Sequence, residues 1–199
     1  ALRVHRPDYH TLENIKSELN WMKSLACDAN ISTAMPVASP DGNLVKSIEA
    51  PGLINNRFCV LFEWLNGEFP NEEKLVESFN PLGEITARLH NHAMKWIPPK
   101  GFKRQTWDLD LMFSDNAIWG PWQLGMGLTD SDIELLDKLL AVIRKRLANF
   151  GNTPNRFGLI HADLRLANLL VENGETKVID FDDCGFGWYL YDFGTAVSF

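Results

Sequence analysis

The sequence holds little that would send the chain through a membrane, stiffen it with disulfides or lay it on nucleic acid. Only three of its 199 residues are cysteine: Cys27, Cys59 and Cys184. They are odd in number, far apart and free of CxxC spacing, which excludes a disulfide framework and a cysteine zinc site and fits the reducing cytoplasm. No apolar run approaches the ~18 residues of a spanning helix, and no basic region followed by an apolar one opens the chain, so neither a membrane partner nor export is expected. No basic run interleaved with aromatics occurs, and the formal net charge is −7. A nucleic-acid partner is therefore not expected, whereas a cationic substrate is compatible with the charge. His90 and His92 stand two positions apart, so on a helix they face different ways and make a poor zinc pair. Internal repeats and low-complexity tracts are missing as well.

What is present is apolar and aromatic. A hydrophobic fraction of 45% and seven tryptophans argue for a substantial core with apolar pockets, in one large domain or two small ones. Leu12, Ile15, Leu19, Met22 and Leu25 recur at helical spacing and predict a helix from about Thr11 to Cys27. A short strand is expected at Pro36-Val37, a turn at Asp41-Gly42-Asn43, a second strand near Leu44–Ile48 and a buried one from Arg57 to Leu65. A second helix is expected from Glu72 to about Lys95, with Leu75, Phe79, Leu82, Ile85 and Leu89 on one face and Pro81 making it irregular near its start. Thr129 heads a third through about Phe150, whose stripe of Ile133, Leu136, Leu140 and Ile143 implies core packing. Between these helices, Trp96 to Leu128 is rich in proline, glycine and aromatics. It is either a substrate pocket, with Asp108, Asp110 and Asp115 available to a cationic or hydroxyl-bearing molecule, or an insertion covering the helices.

Chemistry is concentrated near the C-terminal end, in Gly158-Leu-Ile-His161-Ala-Asp163-Leu-Arg165-Leu-Ala-Asn168-Leu-Leu-Val171 and Lys177-Val-Ile-Asp180-Phe-Asp182-Asp183. Apolar runs lead into or out of each polar residue, and Glu172-Asn-Gly-Glu175 has hairpin-turn composition that folds Asp180 back towards Asp163 and Asn168. Asn168 and Asp180 are hard oxygen donors, a set that suits magnesium shared with phosphates better than zinc. Asp163 is then free to act as a base.

These two ordered motifs resemble the catalytic loop and metal-binding segment of protein-kinase-like enzymes, with four residues separating Asp163 from Asn168. His-Ala-Asp in place of His-Arg-Asp, and Ile-Asp-Phe-Asp-Asp in place of Asp-Phe-Gly, are similar to the aminoglycoside phosphotransferase and choline kinase superfamily, closest to its homoserine-kinase-like and stress-response-kinase-like members. The resemblance implies an α+β, protein-kinase-like two-lobed fold, truncated at both ends in this chain. Residues 1–65 would be a partial β-rich lobe with one helix, ending in the hinge, and 66–199 a helical lobe with the catalytic hairpin, incomplete at its C-terminus.

The resemblance further implies transfer of the γ-phosphoryl group of Mg-ATP to a hydroxyl of a small molecule, with ATP and Mg2+ as cofactors. Asp163 and Arg165 would be catalytic, with Asn168 and Asp180 on the metal and Asp182 either a second-metal ligand or a structural residue. Arg3, where the family usually carries lysine, would touch the phosphates and be held by Glu18, with His5 and Arg6 as its alternates. Glu63 and Leu65 would offer adenine a carbonyl and an N–H, with Trp64 between them either packing or stacking on the adenine. His161 would brace the catalytic loop. Asp192 would brace it through its backbone or else cap a helix. A protein Ser/Thr kinase and a nucleotide-binding pseudokinase are the alternatives within the same fold.

Overall fold

A computed structural model describes residues 1–49, 51–52, 55–71 and 75–198, with backbone alone for residues 75 and 76. The expected helix start at Glu72, the Leu75 side chain and Phe199 lie outside the described residues. The first sheet is built on β4 (Arg57–Phe62), with β1 (Leu2–Val4) antiparallel along one edge. The other edge is shared by β2 (Pro36–Val37) and β3 (Val45–Ile48). Both run antiparallel to β4, β2 against Phe62 and Leu61 and β3 against Val60 to Arg57, so they are one strand interrupted by residues 38–44. Ser39 closes that excursion, its backbone N–H and hydroxyl both donating to the Asn43 carbonyl, at 2.9 and 2.7 Å.

Helix α1 (Leu12–Asp28) starts where Thr11 accepts the Asn14 N–H and the Asn14 side chain accepts the Thr11 N–H, satisfying two donors a helix start leaves free. Its apolar face buries Ile15, Leu19, Trp21, Met22 and Leu25. Helix α2 (Leu75–Ala93) continues through Pro81 and presents Leu82, Ile85 and Leu89 to the same core. That core also takes in Val60 and Phe62 from β4 and Leu159, Leu164, Leu169, Val178 and Phe181 from the stretch that runs from Leu159 to Phe181. One apolar cluster thus joins the sheet to the hairpin, with Trp21 meeting Phe181 edge-on at 5.7 Å.

Downstream come α3 (Leu109–Phe113), α4 (Asp130–Phe150), β5 (Phe157–Ile160), the hairpin β6 (Leu169–Glu172) and β7 (Glu175–Val178), β8 (Gly185–Trp188) and α5 (Tyr189–Val197). The hairpin turn is the expected one: Asn173 and Gly174 both have positive φ, at 51° and 81°, as a tight two-residue connection requires. Strand β8 pairs antiparallel with β5, a partnership not legible in the sequence pattern.

Helix α4 corrects an expectation. Thr129 caps it as foreseen, but none of its residues is buried. Ile143 and Leu147 border an open apolar groove of about 770 Å³ with Trp119, Trp122 and Leu190, so the stripe is half covered instead of packed in the core. All three cysteines are free thiols, and no helix among the described residues is long and apolar enough to cross a membrane.

Candidate active site

The loop that carries Asp163 is held from behind. Asp192, fully buried on α5, accepts the backbone N–H of His161 at 3.1 Å and of Ala162 at 2.7 Å. Trp188, not Asp192, occupies the N-cap position of α5, so the helix-capping alternative is overturned. The two bonds fix Ala162 at φ 69°, a left-handed conformation that a residue with a Cβ adopts only when its surroundings impose it. His90 on α2 completes the brace, its Nε2 lying 2.9 Å from Asp192 Oδ2. His161 is buried as well: its Nδ1 accepts the Asp163 N–H at 3.3 Å while its Nε2 donates to the Ile179 carbonyl at 3.1 Å. One imidazole therefore ties the loop before Asp163 to the strand before Asp180, through the single tautomer that puts the proton on Nε2.

Asp163 emerges from this frame partly exposed. Asn168 donates its amide to the Asp163 carbonyl at 2.7 Å and to Oδ2 at 2.8 Å. Arg165 forks onto the same carboxylate, with Nε 2.7 Å from Oδ1 and an Nη 3.0 Å from Oδ2. Its hydrogen bond to Asp163, and then the charge of that carboxylate, raise the Arg165 pKa further. The Ile179 N–H donates to the Asn168 carbonyl at 3.0 Å, which brings the hairpin arm carrying Asp180 alongside the loop carrying Asn168.

Asp180 itself has φ 61° and ψ 65° and accepts from Arg3 at 2.9 Å. The other Nη of Arg3 donates to Glu18 at 2.5 Å, and Glu18 is fully buried. Burial works against the Arg3 charge, but Glu18, Asp182 and Asp180 outweigh it and push its pKa up. The pairing foreseen between β1 and α1 is therefore present, and it reaches the hairpin as well.

Asp182 turns the other way. It lies 3.4 Å from His5, 3.5 Å from His10, 3.7 Å from Arg3 and 3.9 Å from Arg6. Burial opposes its ionisation, but His5, Arg3 and His10 prevail and hold its pKa at about 2. Burial, reinforced by the Arg104 charge, keeps His10 neutral down to about 4. His5 and Arg6, the alternates for Arg3, thus serve Asp182 instead. Asp183 accepts from the Tyr9 hydroxyl at 2.5 Å, and burial, partly offset by that bond, pushes its pKa up.

A cleft of about 630 Å³ opens between sheet and hairpin, lined by Ala1 to Arg3, Met22, Phe62 to Gly67, Leu170, Ile179 and Asp180. The Glu63 N–H is spent on the Met35 carbonyl at 2.8 Å. The Glu63 carbonyl and the Leu65 N–H have no hydrogen-bond partner in the protein among the described residues. Trp64 is 77% exposed on the cleft wall, which corrects the packing alternative. The connecting segment is anchored where Glu68 and Val171 exchange backbone bonds, at 3.0 and 2.8 Å, and Gly67 approaches so closely that a Cβ there would meet Leu170 at 3.0 Å.

The donor set suits magnesium. No three His, Cys, Asp or Glu side chains converge to hold a metal ion among the described residues. Magnesium does not need such a cage, since one or two carboxylates plus phosphate oxygens suffice. Asn168 has committed only its amide nitrogen and Asp180 one oxygen, so each retains a hard oxygen for a cation shared with phosphates.

A model of the phosphotransferase enzyme family matches residues 1–199. The chain belongs to that family. The amicoumacin kinase of Bacillus subtilis (strain 168) is 26% identical over 194 residues, which cover 96% of this chain and 54% of that protein. The structure of a microcompartment-associated aminopropanol kinase superposes with a TM-score of 0.90 at 43% identity, covering 100% of this chain and 62% of that one. An amicoumacin kinase in complex with AMP-PNP, Ca2+ and Ami gives a TM-score of 0.77 at 25% identity, over 98% of this chain and 55% of that one. This phosphotransferase-family chain therefore has the α+β kinase-like fold and spans between half and two thirds of the length of these relatives.

Two parts of the site were missed in the sequence. His90 carried no signal beyond its place on a helix. Arg104 and Trp107, inside the aromatic segment, reach the backbone of Asp182 to Cys184. A buried arginine is rare enough that its neighbours matter, but nothing local to Arg104 tells a reader it is buried. The acids of that segment also sort out: Asp108 caps α3 by accepting the Leu111 N–H at 2.8 Å, and Asp110 pairs with Arg144 on the surface at 3.4 Å.

Proposed function

We propose that this chain carries the catalytic centre of an ATP-dependent phosphotransferase that moves the γ-phosphoryl group of Mg-ATP to a hydroxyl of a small molecule. The observation that carries the reading is the convergence of Asp163, Asn168, Asp180 and the Arg3–Glu18 pair at one end of a nucleotide-sized cleft. Adenine lies against the connecting segment, accepting from the Leu65 N–H and donating to the Glu63 carbonyl. Arg3, aimed by Glu18, holds the phosphates. Asn168 and Asp180 hold the magnesium, which when bound neutralises charge developing on the phosphates. Asp182 lies outside that set and anchors the segment to β1 and the loop that follows it. The chain divides at the connecting segment, 1–65 carrying the sheet and α1 and 66–199 the helices and the hairpin.

Asp163 orients the acceptor hydroxyl and takes its proton as the bond to the γ-phosphorus forms and the bond from that phosphorus to the bridging oxygen of the departing ADP breaks. In the resting geometry its carboxylate is occupied by Arg165, so the acceptor has to displace that fork. Half exposed, Arg165 gives up little in doing so and is then free to turn to the transferred phosphoryl group. Positioning and charge account for the chemistry, as phosphoryl transfer requires little else of a protein.

The acceptor is a compact molecule bearing an amine as well as a hydroxyl. Trp119 stacks on Trp107 at 5.3 Å, Tyr191 lies parallel to Trp107 at 6.4 Å, and Asp163 and Asp183 place negative charge by Tyr191. Aromatic faces beside carboxylates favour an ammonium group. The aminopropanol kinase, at 43% identity, is named for a molecule of this class. Incubation of the protein with ATP, magnesium and a panel of amino alcohols, polyols and peptides, followed by phosphorus NMR, tests it. A phosphomonoester of an amino alcohol is the expected product. Phosphate ester on peptides alone, or no ATP consumption with any acceptor, would sink the reading.

A further inference from the structure

Arg104 is 6% exposed, and among the described residues none of its donors goes to a carboxylate. Nε donates to the Cys184 carbonyl, one Nη to the Asp182 carbonyl and the other to the Asn14 carbonyl at 3.2 Å. Burying a guanidinium on neutral acceptors is costly and persists only where its full fork is used. Its neighbours act on the same stretch: Trp107 Nε1 donates to the Asp183 carbonyl at 2.7 Å, and the Gln105 amide reaches it at 3.4 Å. Three consecutive carbonyls, of Asp182, Asp183 and Cys184, are thus taken by side chains from residues 104–107. The run is itself fixed, since the Lys103 N–H donates to Ser17 at 2.8 Å and residues 105 and 107 exchange backbone bonds with Phe186 at 2.8 and 2.7 Å.

That stretch needs outside support. Asp180 has a left-handed backbone, the following turn is only Phe181–Asp183, and acids at 180, 182 and 183 repel one another. Asp182 and Asp183 direct their carboxylates at the basic cluster and at Tyr9, while the Arg104 charge sits behind them on their carbonyl side. We infer that Arg104 is the positioning residue of the metal-binding segment: it holds the Asp182–Cys184 backbone so that Asp180 is presented to the metal in one conformation. This rests on Asp180 being a magnesium ligand, as proposed above.

The test is cation binding as well as turnover. Arg104→Lys keeps the charge but replaces a three-way fork with a point donor. With AMP-PNP present, Mn2+ affinity read by electron paramagnetic resonance should fall about 10-fold or more, the range for residues that orient metal ligands. The magnesium concentration for half-maximal turnover should rise in step, and kcat at saturating magnesium should recover to within a few-fold. Trp107→Phe, which removes one carbonyl donor and no charge, should shift both in the same direction by a smaller factor and decides the matter if the Arg104 variant does not fold. The exposed Lys103→Met is the control and should change neither. A folded Arg104→Lys protein with unchanged Mn2+ affinity overturns the inference, as does a Trp107→Phe protein that loses thermal stability without any shift in Mn2+ binding. Asp180→Ala in parallel separates the failures: if it too leaves Mn2+ binding unchanged, the metal assignment is at fault rather than the role of Arg104.

Discussion

Arg3 on β1 and Glu18 on α1 meet at 2.5 Å, with Glu18 wholly shielded from water and the second Nη of Arg3 extended to Asp180 at 2.9 Å. The pair therefore couples the sheet, the helix and the segment that follows β7 through one guanidinium. A buried carboxylate is tolerated only because that cation is there. Removing the carboxylate charge should release Arg3 towards Asp180 and Asp182.

Glu18→Gln should cost about 3 kcal/mol of stability, the lower end for breaking a buried pair, because Arg3 keeps two other acidic neighbours. The ATP KM should rise with it. Urea unfolding and nucleotide titration check both, and a loss below about 1 kcal/mol would mean that the pair is not what aims Arg3.

Asp163→Asn keeps the shape of the side chain but removes its ability to accept a proton. Turnover should fall by about 10²-fold or more, the usual weight of a positioned base, while AMP-PNP affinity with magnesium stays within a few-fold. Near-parental kcat would move the base elsewhere.

Asp180→Ala deletes the proposed charged metal ligand and also frees one Nη of Arg3. Magnesium should then lose most of its effect on ATP affinity, which calorimetry with and without the cation measures. An unaltered magnesium dependence would shift the metal to other oxygen donors.

Acid should weaken the protein through His10 before it reaches the carboxylates. Burial, with Arg104 adding to it, depresses the folded His10 pKa to about 4 from its ordinary 6.5. Between those values the unfolded chain binds a proton that the folded chain refuses, so stability present above pH 6.5 is lost as pH falls towards 4. The Asp182 contribution, with its pKa held at about 2, is lost only in the more acidic window below the ordinary carboxylate range. Urea midpoints across the upper window should slope for the parent and flatten for His10→Gln; equal slopes would reassign the effect to other histidines.

The hairpin turn at Asn173-Gly174 and the helix starts at Thr11 and Thr129 were legible in the sequence, because each depends on local spacing, whereas the Arg3–Glu18 contact was expected only from the family resemblance. Periodicity also identified the buried faces of α1 and α2. Only the tertiary structure decided that β2 and β3 share one edge of β4, that α4 lies on the surface beside a groove, and that Asp182 turns to His5 and His10. Strand partners are chosen by what else competes for an edge, and a helix stripe does not say how much of it finds cover. Arg104 makes the point most sharply: it meets carbonyls 78 and 80 positions away, so its environment is set by where the chain returns and by nothing in the residues beside it.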